Sequence, residues 1–67
     1  MNKVHYYVSG LQNSTDKTQV KNALGKLDGV QIINVDLGRG SIEVGFNEKT
    51  TSDAIKDCIE NTGFSIH

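Results

Sequence analysis

Residues 3 to 9 alternate between apolar and polar side chains, with Val4, Tyr6 and Val8 on one side and His5, Tyr7 and Ser9 on the other. A period of two predicts a strand with one buried face, closed by Gly10. From Asn13 the period lengthens. Val20, Ala23, Leu24 and Leu27 fall at i, i+3, i+4 and i+7, the apolar stripe of an amphipathic helix expected over residues 16 to 27 and stopped by Asp28-Gly29. Val30, Ile33, Val35 and Leu37 predict a second strand, and Ile42, Val44 and Phe46 a third, separated by the Gly38-Arg39-Gly40-Ser41 turn. So short a connection joins antiparallel neighbours. Thr51 or Ser52 caps a second helix with the stripe Ile55, Cys58, Ile59 and Thr62, and Gly63 ends it. Phe64 and Ile66 then alternate with Ser65 and His67 as a short last strand.

The order β-α-β-β-α-β, with one apolar face per strand and one stripe per helix, predicts an α+β, ferredoxin-like sandwich: a four-stranded antiparallel sheet with two helices on one face. The expected core is the set of apolar positions just named, less Leu37 and Thr62, with Leu11 added. With 67 residues the whole chain, 1-67, reads as a single domain.

Length and charge narrow the function classes. A domain of this size buries only about 60% of its unfolded surface, which leaves no material for a deep enclosed pocket. The sequence shows no Ser/His/acid spacing and no glycine-rich phosphate loop, so no enzyme activity is expected. Seven Lys+Arg against eight Asp+Glu give a net charge of −1, too balanced for a protein that neutralises a row of phosphates. Adjacent Tyr6 and Tyr7 make no stacking platform for bases, because only one of them can face outward. Nucleic acid is therefore not an expected partner. No apolar stretch approaches the ~20 residues of a membrane span, and Met1-Asn2-Lys3 leads directly into a strand pattern. The expectation is a cytoplasmic monomer that does not insert into membranes. The one cysteine, Cys58, fits a reducing compartment and is expected to pack in the core as a small hydrophobe.

Val8-Ser9-Gly10-Leu11, followed by a polar loop into Val20-Lys21-Asn22-Ala23-Leu24 and Leu27-Asp28-Gly29-Val30, resembles the heavy-metal-associated domain. That is the fold of small copper chaperones and of the N-terminal domains of metal-transporting P-type ATPases. The similarity continues through Val35-Asp36-Leu37, the Gly40 hairpin, Ile42-Glu43-Val44 and Ile59-Glu60-Asn61-Thr62-Gly63-Phe64, so it covers essentially the whole chain. In the family, Gly-Met-x-Cys-x-x-Cys holds one soft ion such as Cu(I) between two thiolates. Setting Gly10 and Leu11 on the Gly-Met pair puts Asn13 and Asp16 at the two cysteine positions. Val20 follows Asp16 by four residues, as the family's helical valine follows its second cysteine, so the alignment stands. An amide oxygen and a carboxylate are hard donors, and two of them make an incomplete site. Tight Cu(I) binding is not expected; a weakly held divalent cation is the most this pair would take. What the resemblance implies is a docking or adaptor module in metal trafficking whose partner is a protein such as a metal-transporting P-type ATPase domain. The alternative is an interaction or regulatory module unrelated to metals.

Asn13 and Asp16 also have a structural role, because Asn is a good N-cap and an acid three residues later completes a box-like arrangement at the positive end of the helix. Lys17 and Lys21, one turn apart, form a basic edge beside the loop. The resemblance implies that such an edge meets an acidic face of a transporter domain; a solvated helix face is the plain reading. Leu11 and Phe64 complete the candidate partner-contact set, Phe64 standing where the family has an aromatic packed behind the metal loop. His5 and His67 are a weaker alternative metal pair. A register setting Tyr6 against Ile66 would bring their imidazoles side by side, enough for two ligands of a borderline metal such as Zn or Ni.

Overall fold

A computed structural model describes residues 2–67. It divides them into strand β1 (Asn2–Ser9), helix α1 (Ser14–Gly25), strands β2 (Val30–Asp36) and β3 (Ser41–Phe46), helix α2 (Ser52–Asn61) and strand β4 (Ser65–Ile66). The sheet order is β2-β3-β1-β4 and every pairing is antiparallel. This is the ferredoxin-like arrangement that the element order predicts. α1 packs on β2 and α2, and α2 packs on β4, which places β1 and β3 at the centre of the sheet beneath the helices. Among the described residues no helix is long and apolar enough to cross a membrane.

Both helices start at a side chain that captures an orphan backbone donor. Asn13 Oδ1 accepts the N–H of Asp16 at 3.0 Å, and Thr51 Oγ1 accepts the N–H of Ala54 at 3.1 Å. Of the two candidate caps of α2, Thr51 is the one used. Val20, Leu24, Ile42, Val44, Ile55 and Ile59 are wholly inaccessible, and Val8, Leu11, Phe46 and Phe64 are nearly so. Around this centre Val4, Tyr6, Leu27, Val30, Ile33, Val35, Cys58 and Ile66 are half-buried. Ala23 is half-buried as well. The expected core is therefore graded in depth, and its membership shifts slightly: Leu37, left out of it, also packs against the core.

Several boundaries differ from the periodicity: α1 begins at Ser14, two residues before the expected start, and β2 ends at Asp36, which leaves Leu37 in the turn. α1 stops at Gly25, two residues short of Leu27, because the chain tightens there into i→i−3 bonds: Lys26 N–H to Ala23 O at 3.3 Å and Leu27 N–H to Leu24 O at 3.1 Å. Leu27 still packs on the core, carried back by that turn. Ser41 is the first residue of β3 and is buried, so it does not belong to the solvent turn. Thr62 caps α2, with its hydroxyl donating to Ile59 O, instead of extending the stripe. Phe64 precedes β4, which has only two residues. In β2, an irregularity between Val30 and Ile32 shifts the pairing against β3. This explains why Val30, Ile33 and Val35 break strict alternation, and it leaves Ile32 exposed.

Candidate functional site

The loop between β1 and α1 is built from beneath. Gly10 adopts φ +101°, a conformation open to glycine and costly for other residues, and this swings the chain off the end of β1. Leu11 then drops into the core at 7% exposure, next to the buried ring of Phe64 at 8%. With Leu11 anchored, Gln12 and Asn13 are exposed, and Asn13 is extended at φ −148°, ψ 177°. Asp16 completes a reciprocal arrangement, since its Oδ2 accepts the N–H of Gln12 at 3.0 Å while its own N–H goes to Asn13 Oδ1. A standard capping box returns the acid to the cap residue's own N–H. Here it reaches one residue further back, so the pair ties down the loop as well as the helix.

Asn13 and Asp16 are brought together as expected, and the bonds they make are helix-capping bonds. What they present to an ion is an amide oxygen and a carboxylate, each already accepting a backbone N–H. Neither is a soft donor of the kind that selects Cu(I). Among the described residues no group of three or more His, Cys, Asp or Glu side chains gathers into a metal-holding cluster.

The imidazoles of His5 and His67 are not set side by side. β4 pairs with β1 through Val8 opposite Ile66 and Ser9 opposite Ser65, two residues from the register that would match Tyr6 with Ile66. The His67 N–H accordingly donates to Tyr7 O at 2.8 Å, and its ring meets Ser9 Oγ. His5 instead lies against Tyr7, with ring centroids 5.2 Å apart. The physical reason is the position of Phe64, whose ring lies against Gly10. Seating that ring under the loop draws β4 toward the end of β1.

Of the four candidate contact residues, Leu11 and Phe64 are core residues that support the loop and show little surface. Lys21 is exposed and Lys17 half-buried, so the basic edge reduces to these two. Cys58 sits at the rim of the core and not within it; burial pushes its thiol above the ordinary cysteine range. Sequence reasoning missed the polar row on the open face of the sheet. There Glu43 stands opposite both His5 and Asn34 and accepts from Asn34 Nδ2 at 3.3 Å, while Arg39 lies 3.8 Å from Asp36. Arg39 and Asp36 stand three residues apart in the hairpin, whereas strand register brings Glu43 together with His5 and Asn34, which no local pattern shows. The hydroxyl of Tyr6, donating to Ser52 O at 3.1 Å across 46 residues, escaped notice for the same reason.

No family model matches the chain. Individual relatives do. The COP-associated protein of Helicobacter felis is 32% identical over 66 residues, 96% of this chain and 97% of the relative. The copper chaperone CopZ of Staphylococcus haemolyticus is 33% identical over 60 residues, 88% of each chain. Among solved structures, a CopZ metallochaperone superposes with a TM-score of 0.94 at 28% identity, covering 98% of this chain and 100% of the other. A copper binding domain from HMA7, a P-type ATPase, gives 0.93 at 28% identity over 100% of this chain and 92% of the other.

Proposed function

Since the chain belongs to the heavy-metal-associated family of copper-chaperone-like proteins, we propose that it is a metal-trafficking module that docks on partner proteins without holding Cu(I) tightly in its first loop. The observation that carries this reading is the use of Asn13 and Asp16 as a helix cap, bonded to each other and to Gln12, at the positions where the family's two thiolates stand. Copper is cargo in this family, and cargo that needs thiolates finds two hard oxygens instead. Any ion taken by this pair is a weakly held divalent cation. The module acts as an adaptor and not as a catalyst, and its site of action is the cytoplasm.

Docking falls to the basic edge of α1. Lys17 and Lys21 flank the loop on a fold that superposes on both a metallochaperone and a P-type ATPase domain, and the partner is an acidic face on a metal-transporting P-type ATPase domain. Opposite charge across such a contact steers encounter and sets orientation. The test has two arms. Titration with Cu(I) under reducing conditions, followed by amide NMR shifts, should leave residues 10 to 17 unmoved at sub-micromolar metal. Titration with an ATPase metal-binding domain should shift the amides around Lys17 and Lys21, and Lys17→Glu/Lys21→Glu should abolish those shifts. Sub-micromolar Cu(I) binding in the loop would overturn the first half of the reading. A failure to engage any such domain would leave an interaction module outside metal biology.

A further inference from the structure

Among the described residues β2 forms one edge of the sheet, bonded to β3 on one side and to no strand on the other. Two backbone bonds at the ends of β3 show which of its groups are free. The N–H of Val8 donates to Gly40 O at 2.8 Å and that of Asn47 to Gly29 O at 2.9 Å, so the even-numbered residues of β3 turn their backbone groups toward β1 and the odd-numbered ones toward β2. Opposed residues of an antiparallel ladder alternate between exchanging both bonds and exchanging none. Asn34 and Asp36 therefore bond to Glu43 and Ser41, while the N–H and C=O of Ile33 and Val35 point off the sheet. The side chains of this segment are equally incomplete. Ile33 and Val35 stand opposite Val44 and Ile42, which are wholly inaccessible, yet are only half-buried themselves because no strand flanks them at the edge. Natural edges are blunted by a charge, a proline or a bulge. Here the irregularity between Val30 and Ile32 blunts the start of the strand, and Ile32-Ile33-Asn34-Val35 carries neither charge nor proline.

We propose that this edge pairs with β2 of a second copy of the chain, antiparallel about a two-fold axis through Asn34, merging the two four-stranded sheets into one. In that register Ile33 of each copy opposes Val35 of the other, and these are the residues whose backbone groups are free to exchange both bonds. Their side chains meet on the helical side and complete the burial that each lacks alone. On the open face Asn34 opposes its own counterpart and Ile32 opposes Asp36, so no like charges stand face to face. A second copy is the occupant because the strand is its own complement in this register. The contact also closes at two copies. At the far edge β4 has only two residues, and residues 2–6 of β1, which β4 does not reach, include Lys3, a charge of the kind that blunts an edge. One strand per copy buries less than the ~800 Å² per partner of a standard stable interface, so the dimer is transient. This inference rests on the β2 edge and is independent of the contact assigned to Lys17 and Lys21.

The experiment follows amide hydrogen exchange and sedimentation of the full chain from dilute to millimolar concentration. As concentration rises the amides of Ile33 and Val35 should gain protection, whereas those of Asn34 and Asp36, already bonded to β3, should change little. Asn34→Lys sets two ammonium groups opposite each other at the two-fold axis and should weaken association by roughly fivefold. Ile32→Lys instead places a lysine opposite Asp36 at both ends of the paired segment, so affinity should hold or rise. This second variant separates strand pairing from the stickiness of an exposed apolar residue. Both positions are exposed, and far-UV circular dichroism should show both variants folded. The proposal falls if the unaltered chain shows no concentration dependence, if Ile32→Lys abolishes association, if Asn34→Lys leaves it unchanged, or if the newly protected amides lie in residues 2–6. It falls equally if Ile33 and Val35 gain protection only when an ATPase metal-binding domain is added, which would give the edge to that partner.

Discussion

The ring of Phe64 lies so close to Gly10 that a Cβ built on the glycine would stand 3.0 Å from Phe64 Cδ1. Gly10 is also at φ +101°, so close approach and backbone conformation both require glycine at this position. Gly10→Ala should cost about 1–3 kcal/mol, read as a lower urea midpoint with an unchanged slope. The same variant should loosen β4, raising amide exchange at Ile66 and His67 before it affects β2. A Gly10→Ala chain as stable as the parent would mean that Phe64 moves aside freely.

The Asn13 cap gives a second test. Asn13→Ala removes the acceptor of the Asp16 N–H and should destabilise the fold by about 0.5–2 kcal/mol, with faster hydrogen exchange confined to the first turn of α1. Asn13→Asp keeps an acceptor oxygen in place and adds a negative charge at the positive helix end. Its stability should remain close to that of the parent, despite the neighbouring Asp16 carboxylate. Equal losses in the two variants would show that the cap bond is not what Asn13 contributes.

Cysteines put back at both loop positions should restore soft-metal chemistry. Asn13→Cys/Asp16→Cys places two thiolates at i and i+3 on the loop, and Cu(I) competition against a chelator should show a large gain in affinity. Loss of the cap costs about 0.5–2 kcal/mol and loss of the N-terminal acid about 0.3–1, within the ~5 or more expected of a folded domain. Far-UV circular dichroism should therefore remain native. A folded double variant with no gain in Cu(I) affinity would mean that the backbone of Gly10–Asp16 has left the family geometry.

Alkaline pH should weaken the fold. Burial raises the Cys58 thiol, and burial followed by the charge of Asp53 raises the Tyr6 phenol, each above its ordinary range. The folded state thus keeps protons that the unfolded chain has released, and stability falls as pH rises through and beyond the ordinary cysteine and tyrosine values. Below those values the contribution is fully present. Denaturation midpoints measured at increasing pH should decline, and the decline should be shallower in Cys58→Ala and in Tyr6→Phe, although the latter also loses the bond to Ser52 O. Alkylation of Cys58 in the native protein should run slower than that of a free cysteine at the same pH, because the thiolate is the reactive form.

A short window of residues decides much of this fold. The stripes through Val20 and Leu24 and through Ile55 and Ile59, the alternation of Val4, Tyr6 and Val8, and the caps at Asn13 and Thr51 are local, so element type and order were legible without coordinates. The same window shows Asn13 and Asp16 at the positions that the resemblance assigns to the two thiolates. Tertiary structure alone decided quantities that depend on distant parts of the chain. The seating of Phe64 under Gly10 fixed the register of β4, which parted His67 from His5 and set it beside Ser9. The tightened turn after Gly25, the irregularity at Ile32 and the shallow position of Cys58 likewise answer to packing against other elements. Periodicity specifies which face of an element is apolar, but burial depth and strand register are set by what that face meets, and that partner lies elsewhere in the chain.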